Sequence, residues 1–496
     1  MPNFEFVNVG SPGDLKKHST RIRRHVMKDI GKARRRPKAR HETRVDEQVA
    51  ATSIDDEILP SAEKSSKSRG SSQVLSLSDP LSDGSLSTMV YPTDMDEERL
   101  QLARLMFAEA KSNYRPFRSS WLSMGLSDPA AWHITMANAV LFRKVTLRGR
   151  KPGFDADAEA MKWYEQSLET ITRRLADSEQ NGGEGLVIAV VGLLCHDTSM
   201  GNFERQEIHL RGLKRLVDQK GGIDELRSTV LRLMISWQDL SGATYRNAAP
   251  HFKIPKGSID EIDTGDDTSF LEVMLMDWDM SCPALGDIVG ALKATAAVAS
   301  FIRTNSRSDP KFWTDDVTAA RLLGPAFHKI LSLKGRPLPE DMSDAAYSAT
   351  AAREAFRRAA LIFLAMVKIK FGAYAPEMSR HIYAFHQISL IPMVDWAFVP
   401  QLNLWAHFIA ALQEETQDRA WHVFTIASIM ESLHLSTSTE ALDVARGIIW
   451  VEELVKGQCA SLCRQIDDFV KANARWRSGD IPLDIQLYQS PAETVP

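Results

Sequence analysis

The chain has 496 residues, of which 44% are hydrophobic and 25% are charged, values that exclude a fibrous or wholly disordered protein and allow a sizeable core. Its four cysteines are too few for the disulfide framework of a secreted protein, so a reducing compartment is expected. The net charge of −4 conceals an uneven distribution, because residues 16–44 alone carry +11 and the remainder therefore carries −15.

Residues 1–45 form a basic N-terminal arm. They begin with the alternating stretch FEFVNV and show no secretory signal pattern. Ile22, Val26 and Ile30 recur every four residues, which predicts a short basic amphipathic helix ending near Gly31. This helix is too short to fold alone. A basic arm on an acidic body indicates an anionic partner, or a receptor that recognises basic clusters, for the arm only.

The stretch KARRRPKAR predicts a nuclear localisation signal bound by an import receptor. The same side chains suit nonspecific contact with DNA phosphates, and the alternative is a solvated basic tail. A leucine zipper is not expected, because no sustained apolar heptads follow Arg44. The residues predicted to act are Lys32, Arg34, Arg35, Arg36, Lys38 and Arg40.

Residues 46–92 predict a flexible linker. Eleven serines occur between Ser61 and Ser87 with almost no aromatic residues, so the segment cannot bury enough apolar surface to offset its ordering entropy. Its serines are candidate phosphorylation sites. A flexible tail is also expected over residues 488–496.

Residues 93–487 predict one large helical domain. Tyr164, Leu168 and Ile171 illustrate the helical spacing. The stretch Ser127-Asp128-Pro129 offers an N-cap and a first-turn proline, and the Gly-Gly pair at residues 221 and 222 closes a helix. Loops are expected near 248–270 and 305–315. The fold class is all-α, an irregular or stacked bundle without membrane contact. In addition to the helices marked by the cap, the spacing and the Gly-Gly pair above, helical periodicity is present over roughly 95–112, 184–199, 224–243, 283–305, 316–334, 343–371, 378–390, 395–413, 418–434 and 438–476.

No catalytic, metal or cofactor site is expected from the motifs. The sequence has no GxSxG, phosphate loop, GxGxxG after a strand, or HExxH. Histidines 196, 209, 381 and 386, with Asp197, are interpreted as core or surface residues. Cys459 and Cys463 lack the second pair that a zinc site needs, and are interpreted as small apolar residues. The acidic pairs 414–415 and 467–468 are interpreted as solvated side chains. The tryptophans are interpreted as core residues, with a ligand pocket between helices as the alternative.

The stretches HLRGLKRLVDQKGGIDEL and LRLMISWQDLSGATYRNAAPHF, from His209 to Phe252, resemble the fungal-specific transcription factor domain. In that family a helix ending in Gly-Gly precedes a Trp-x-Asp element and then a Pro-x-Phe. YPTDMDEERLQLARLM and LSDPAAWHITMANAV resemble its opening helices. The positions that match the family pattern, with a structural role, are Gly212, Gly221, Gly222, Trp237, Asp239, Pro250 and Phe252.

The resemblance implies an all-helical regulatory module of nuclear proteins. Typical members begin with a binuclear zinc cluster of six cysteines, whereas the first cysteine here is Cys195. The expectation is a nuclear transcriptional regulator or co-regulator without that cluster, acting with the transcriptional machinery or another DNA-binding factor. The alternative is a helical scaffold or ligand-sensing protein that does not bind DNA. Control of secondary metabolism is an expectation from the resemblance alone.

Overall fold

The computed structural model describes part of the chain. The described residues are Leu86 and residues 88–107, 117–148, 157–177, 183–259, 269–281, 286–333, 338–391, 394–415, 419–455 and 457–478. The chain divides into two compact units, and every described residue belongs to the larger one, which includes residues 83–496. The basic arm and most of the serine-rich linker lie outside the described residues.

Within those ranges the structure contains sixteen α-helices, three short 3-10 helices and no strand, which confirms the all-α prediction. The 3-10 turns are Ile223–Glu225, Phe312–Thr314 and Glu452–Leu454. The α-helices are α1 (Glu97–Phe107), α2 (Arg118–Leu126), α3 (Pro129–Arg148), α4 (Ala158–Ala176), α5 (Glu184–Ser199), α6 (Phe203–Gln219), α7 (Thr229–Arg246), α8 (Ser269–Ser281), α9 (Asp287–Asn305), α10 (Asp316–Ser332), α11 (Ala345–Lys370), α12 (Met378–Ser389), α13 (Pro400–Ala411), α14 (Ala420–Ser432), α15 (Ser438–Arg446) and α16 (Cys459–Ser478).

Side-chain caps define where many helices begin. Asp128 accepts the N–H of Ala130 at the start of α3, as predicted, and Asp315 accepts the N–H of Val317 at the start of α10. Thr437 and Glu440 form a reciprocal capping box at α15. These bonds satisfy donors that a helix leaves unpaired in its first turn.

Neighbouring helices in the sequence pack mostly as neighbours in space. The helix α3 packs on α4 and α5, α5 packs on α6, and α7 packs on both α5 and α10. The long helix α11 contacts α12 and α13, and α13 in turn packs on α14 and α15. The helix α11 is buried, with residues 359–367 almost inaccessible to solvent. No helix in the described ranges is long and apolar enough to cross a membrane.

Three features of the helix pattern differ from the prediction. The helices α2 and α8 were not predicted, because RSSWLSMGL is rich in serine and SFLEVMLMDWDMS has apolar residues on several sides. Residues 438–476 are not one helix. The chain leaves the helix after Arg446, because Trp405 donates its Nε1–H to the carbonyl of Ile449 at 2.8 Å and Arg303 donates to that of Trp450.

Asp128 joins three helices, and its removal is expected to cost more than loss of an ordinary cap. Its second carboxylate oxygen pairs with Arg174 on α4, and Gly185 on α5 packs so closely that a Cβ there would clash with the carboxylate. We expect Asp128→Ala to lower the free energy of unfolding by about 3 kcal/mol. The exposed cap variant Asp315→Ala should cost about 1 kcal/mol. Urea denaturation measures both, and equal losses would contradict the prediction.

Candidate functional site

A buried carboxylate holds the loop that follows α7. Asp239 accepts hydrogen bonds from the backbone N–H groups of His251 at 3.1 Å and Phe252 at 2.8 Å. We call this arrangement the Asp239 clamp. Burial raises the pKa of Asp239 to about 6, despite the two N–H donors. The carbonyl oxygen of Phe252 lies 3.0 Å from Nε2 of His328, so the clamped loop also reaches α10.

The other residues of the resemblance lie on α6 and α7 and in the turns that follow these two helices. Trp237 is buried two residues before Asp239 on α7, and Pro250 starts the clamped turn. Gly221 and Gly222 have φ values of 96° and 111°, and the N–H of Gly222 returns to the carbonyl of Val217. That positive-φ turn ends α6 as predicted. Gly212 lies in the middle of α6 and is partly buried.

A charged cluster secures the clamped loop from the side of α6. Glu207 lies 2.6 Å from Nη2 of Arg246 and 3.1 Å from Nε2 of His251, and it accepts from Arg211. Partial burial opposes ionisation of Glu207, but the His251 hydrogen bond and the Arg246 charge lower its pKa to about 2. The same hydrogen bond raises the pKa of His251.

A pocket of about 100 Å³ lies on the other side of α7. Its walls are formed by the helices α1, α2, α3, α5 and α7, by the residue just before α2, and by the end of α11 with the turn that follows it. Most of the larger lining side chains are aromatic or methionine, and one is a lysine. The lining residues are Met106, Phe117, Trp121, Asn138, Cys195, Thr198, Ser199, Met234, Trp237, Gln238, Ser241, Lys368, Ala373 and Tyr374.

Gln238 organises the polar side of this pocket. Its Oε1 accepts from Thr198 at 2.9 Å, and its Nε2 donates to the Cys195 sulfur at 3.2 Å. Its backbone carbonyl accepts from Gln206, whose Oε1 in turn accepts from Arg246. A continuous set of hydrogen bonds therefore joins the pocket wall to the charged cluster beside the Asp239 clamp.

The residues His196, Asp197 and His209 come together with Arg205 and Tyr164 in a second buried cluster. Asp197 accepts from Nε of Arg205 at 2.6 Å, and Nδ1 of His209 lies 3.3 Å from its other oxygen. Burial raises the pKa of Asp197 to about 7 and lowers that of His209 to about 3. His209 is therefore neutral at physiological pH. The cluster lies in the core, which is one of the two placements that the sequence left open for these histidines.

Another buried histidine pair was missed by the sequence reasoning. Nδ1 of His407 and Nδ1 of His422 lie 2.8 Å apart, and Glu414 lies 3.3 Å from the other ring nitrogen of His422. Burial holds the pKa of His407 well below its usual range. The solvated interpretation of Glu414 is wrong, because its side chain is only 13% exposed beside His422. Residues 407 and 422 lie on different helices, so no local spacing signals their contact.

The described ranges contain no group of three or more His, Cys, Asp or Glu side chains arranged to hold a metal ion. Cys459 and Cys463 are free, partly buried thiols on α16. Burial raises the pKa of the Cys459 thiol to about 11, so it remains protonated at neutral pH. His381, also in the core, contacts Arg358.

The predicted localisation cluster has no described structure. Lys32, Arg34, Arg35, Arg36, Lys38 and Arg40 lie outside the described residues, so their role stays a prediction.

The family described as fungal specific transcription factor domain matches residues 101–448, which is more than two thirds of the chain. The chain belongs to this family. No curated protein and no solved structure matches the chain significantly. Family membership associates the chain with regulation of transcription. The Asp239 clamp and every pocket residue lie within the family domain.

The contact between Glu207 and His251 should make the stability of the domain depend on pH. A histidine whose pKa is raised on folding contributes its full stabilisation at pH values below its pKa in the unfolded chain, near 6.5. This contribution is lost as pH rises through the pKa of the folded state. We therefore expect the difference in unfolding free energy between wild type and His251→Gln to be largest below about pH 6.5 and to shrink as pH rises from there through the raised folded pKa of His251.

Urea denaturation across that pH range measures the difference. Glu207→Gln is the matched control, because His251→Gln made in that background should show a much weaker dependence on pH. A difference that stays constant with pH in the wild-type background would contradict the assignment of His251.

Proposed function

We propose that the chain is a nuclear regulator or co-regulator of transcription, whose basic arm directs it to the nucleus and whose helical domain recognises protein partners. The family match over residues 101–448 carries this proposal. The uneven distribution of charge supports separate roles for the arm and the helical domain. The body bears −15 outside residues 16–44, so it repels nucleic acid phosphates, whereas the arm attracts them.

The arm is tested by replacing Arg34, Arg35, Arg36 and Lys38 with alanine in a fluorescent fusion of the full chain. We expect nuclear accumulation to be lost, because an import receptor reads the cationic side chains of this cluster.

The matched control removes the same number of charges from the same arm by changing Lys16, Lys17, Arg23 and Arg24 to alanine. Its nuclear accumulation should remain. If both variants stay in the nucleus, the cluster is not the localisation signal. If both lose nuclear accumulation equally, the total charge of the arm rather than the cluster drives import.

An exposed face on α8 supports a protein partner for the helical domain. Leu271 and Leu275 are buried, whereas Val273, Met276 and Met280 are 60%, 59% and 71% exposed. Their spacing of three and four residues places these three side chains on one side of the helix. We call them the α8 face. Exposed apolar groups at this spacing are typical of helices that bind in a groove of another protein.

The charge around the α8 face defines the chemistry of that partner. Between Lys256 and Lys293 the sequence has nine Asp and Glu residues and neither Lys nor Arg. Glu272 and Asp277 are exposed next to the apolar side chains. A complementary partner therefore has an apolar groove bordered by Lys and Arg, and methionine side chains adapt readily to such grooves. We assign this role to a protein of the transcriptional machinery.

A tethered reporter tests both the partner and the function. The full chain fused to a heterologous DNA-binding domain should change reporter expression, and Val273→Ser, Met276→Ser and Met280→Ser together should return it towards that of the DNA-binding domain alone. Losing such anchors weakens binding by about tenfold or more.

The control variant changes three exposed apolar side chains elsewhere, Val90, Met342 and Tyr383, to serine and should behave as wild type. A tethered wild type with no effect on the reporter would contradict the proposed function. A full effect in the α8 variant would contradict the binding role of that face.

A further inference from the structure

The pocket between α1, α2, α3, α5, α7 and α11 has the walls of a binding site for an aromatic molecule. Trp121, Trp237, Phe117 and Tyr374 supply aromatic surface, and the methionines at 106 and 234 supply apolar side chains that adapt to a ligand. Aromatic rings gain more from stacking and edge contacts with such walls than saturated rings of the same size gain. The composition of the walls therefore favours a flat ring.

The size of the pocket limits the ligand to a small group. A cavity of about 150 Å³ lined by apolar side chains is large enough for a benzene ring. The volume here, about 100 Å³, is somewhat smaller. The pocket is only partly enclosed, so a single ring enters it with its substituents directed towards solvent.

Lys368 is the one cation among the described lining residues, and its pairing bears on the charge of the ligand. Nζ of Lys368 lies 2.9 Å from Oε1 of Glu377, and both side chains are at least 95% buried. This pair is neutral as a unit. A carboxylate entering the pocket would give the three groups a net negative charge with little water to solvate it, which is costly in a buried site. A neutral oxygen acceptor avoids that cost.

Lys368 can still bind such an acceptor. An ammonium group has three N–H donors, and Glu377 Oε1 takes one of them. Nζ also lies over the Trp237 ring, 5.7 Å from its centre, so a ligand ring that packs against that indole lies close to the ammonium group. A hydrogen bond to a charged donor changes affinity by roughly tenfold or more.

We propose that this pocket binds a small, neutral, planar aromatic molecule whose carbonyl or hydroxyl oxygen accepts a hydrogen bond from Lys368. The ligand contacts Trp237 and Gln238, which lie on the same turn of α7 as Asp239. Its binding therefore stabilises the hydrogen-bonded set from Thr198 through Gln238 and Gln206 to Arg246.

The thiol of Cys195 gives a direct measure of occupancy, because it lines the pocket. In a variant with Cys282→Ser, Cys459→Ser and Cys463→Ser it is the single cysteine, and its rate of alkylation by N-ethylmaleimide is followed by mass spectrometry. Acetophenone, a neutral aromatic ketone, should slow alkylation to a saturable limit. Benzoate and cyclohexyl methyl ketone, its anionic and saturated counterparts, should each bind about tenfold more weakly.

The role of Lys368 is tested by the double variant Lys368→Met with Glu377→Gln, which removes both charges together. It should weaken acetophenone about tenfold and leave ethylbenzene, which has no oxygen, unchanged. If that variant does not fold, Ser241→Leu fills the pocket from α7 and should abolish protection by acetophenone.

Equal protection by acetophenone and benzoate, or none by any probe, would overturn the proposal. The inference goes beyond the proposed function and is measured on purified protein. Failure of the pocket to bind therefore leaves the localisation and reporter results unaffected, and the reverse also holds.

Discussion

The Asp239 carboxylate binds two backbone N–H groups where α6, α7 and α10 meet, and much of the surrounding geometry depends on it. The loop from residue 247 to residue 259 has no helix of its own, so its polar backbone groups need partners from neighbouring elements. Asp239 supplies two, and Asp224 accepts from the N–H of Lys256. On α10, the side chain of Arg321 donates to the carbonyl of Gly257, and the carbonyl of Arg321 accepts from the N–H of Ile259. The loop is thus a structural element rather than a spacer.

The position of Asp239 on α7 also relates the clamp to the pocket. Trp237, Gln238 and Asp239 are consecutive, and successive helical residues point about 100° apart. The first two line the pocket, while the third holds the loop. A ligand and the clamp therefore act on one helical turn from different sides. This arrangement gives a regulatory domain a physical route by which occupancy of a small cavity affects a surface loop.

Several ionic pairs with at least one buried partner reinforce particular helix contacts. Asp197 pairs with Arg205 between α5 and α6, and Lys368 pairs with Glu377 where α11 turns into α12. Arg353 forms two hydrogen bonds with Asp287, which fixes α11 against α9. Such pairs add little stability over apolar residues of the same volume, but removing one partner leaves a buried charge unpaired. Alternative packings of the helices would separate these charges from their partners. We hypothesise that this penalty is why a domain with so many apolar helices adopts one arrangement.

Periodicity and capping were enough to determine from the sequence that the domain is helical, where α3 begins and where α6 ends. The resemblance from His209 to Phe252 was likewise enough to indicate the family, because it depends on local motifs. Tertiary structure alone decided that Asp239 binds the Phe252 amide, that His407 meets His422, and that Lys368 faces a pocket. These contacts join side chains on different elements, and no spacing along one helix encodes them. The break after Arg446 has the same cause, since Trp405 and Arg303 hold the non-helical backbone from other helices.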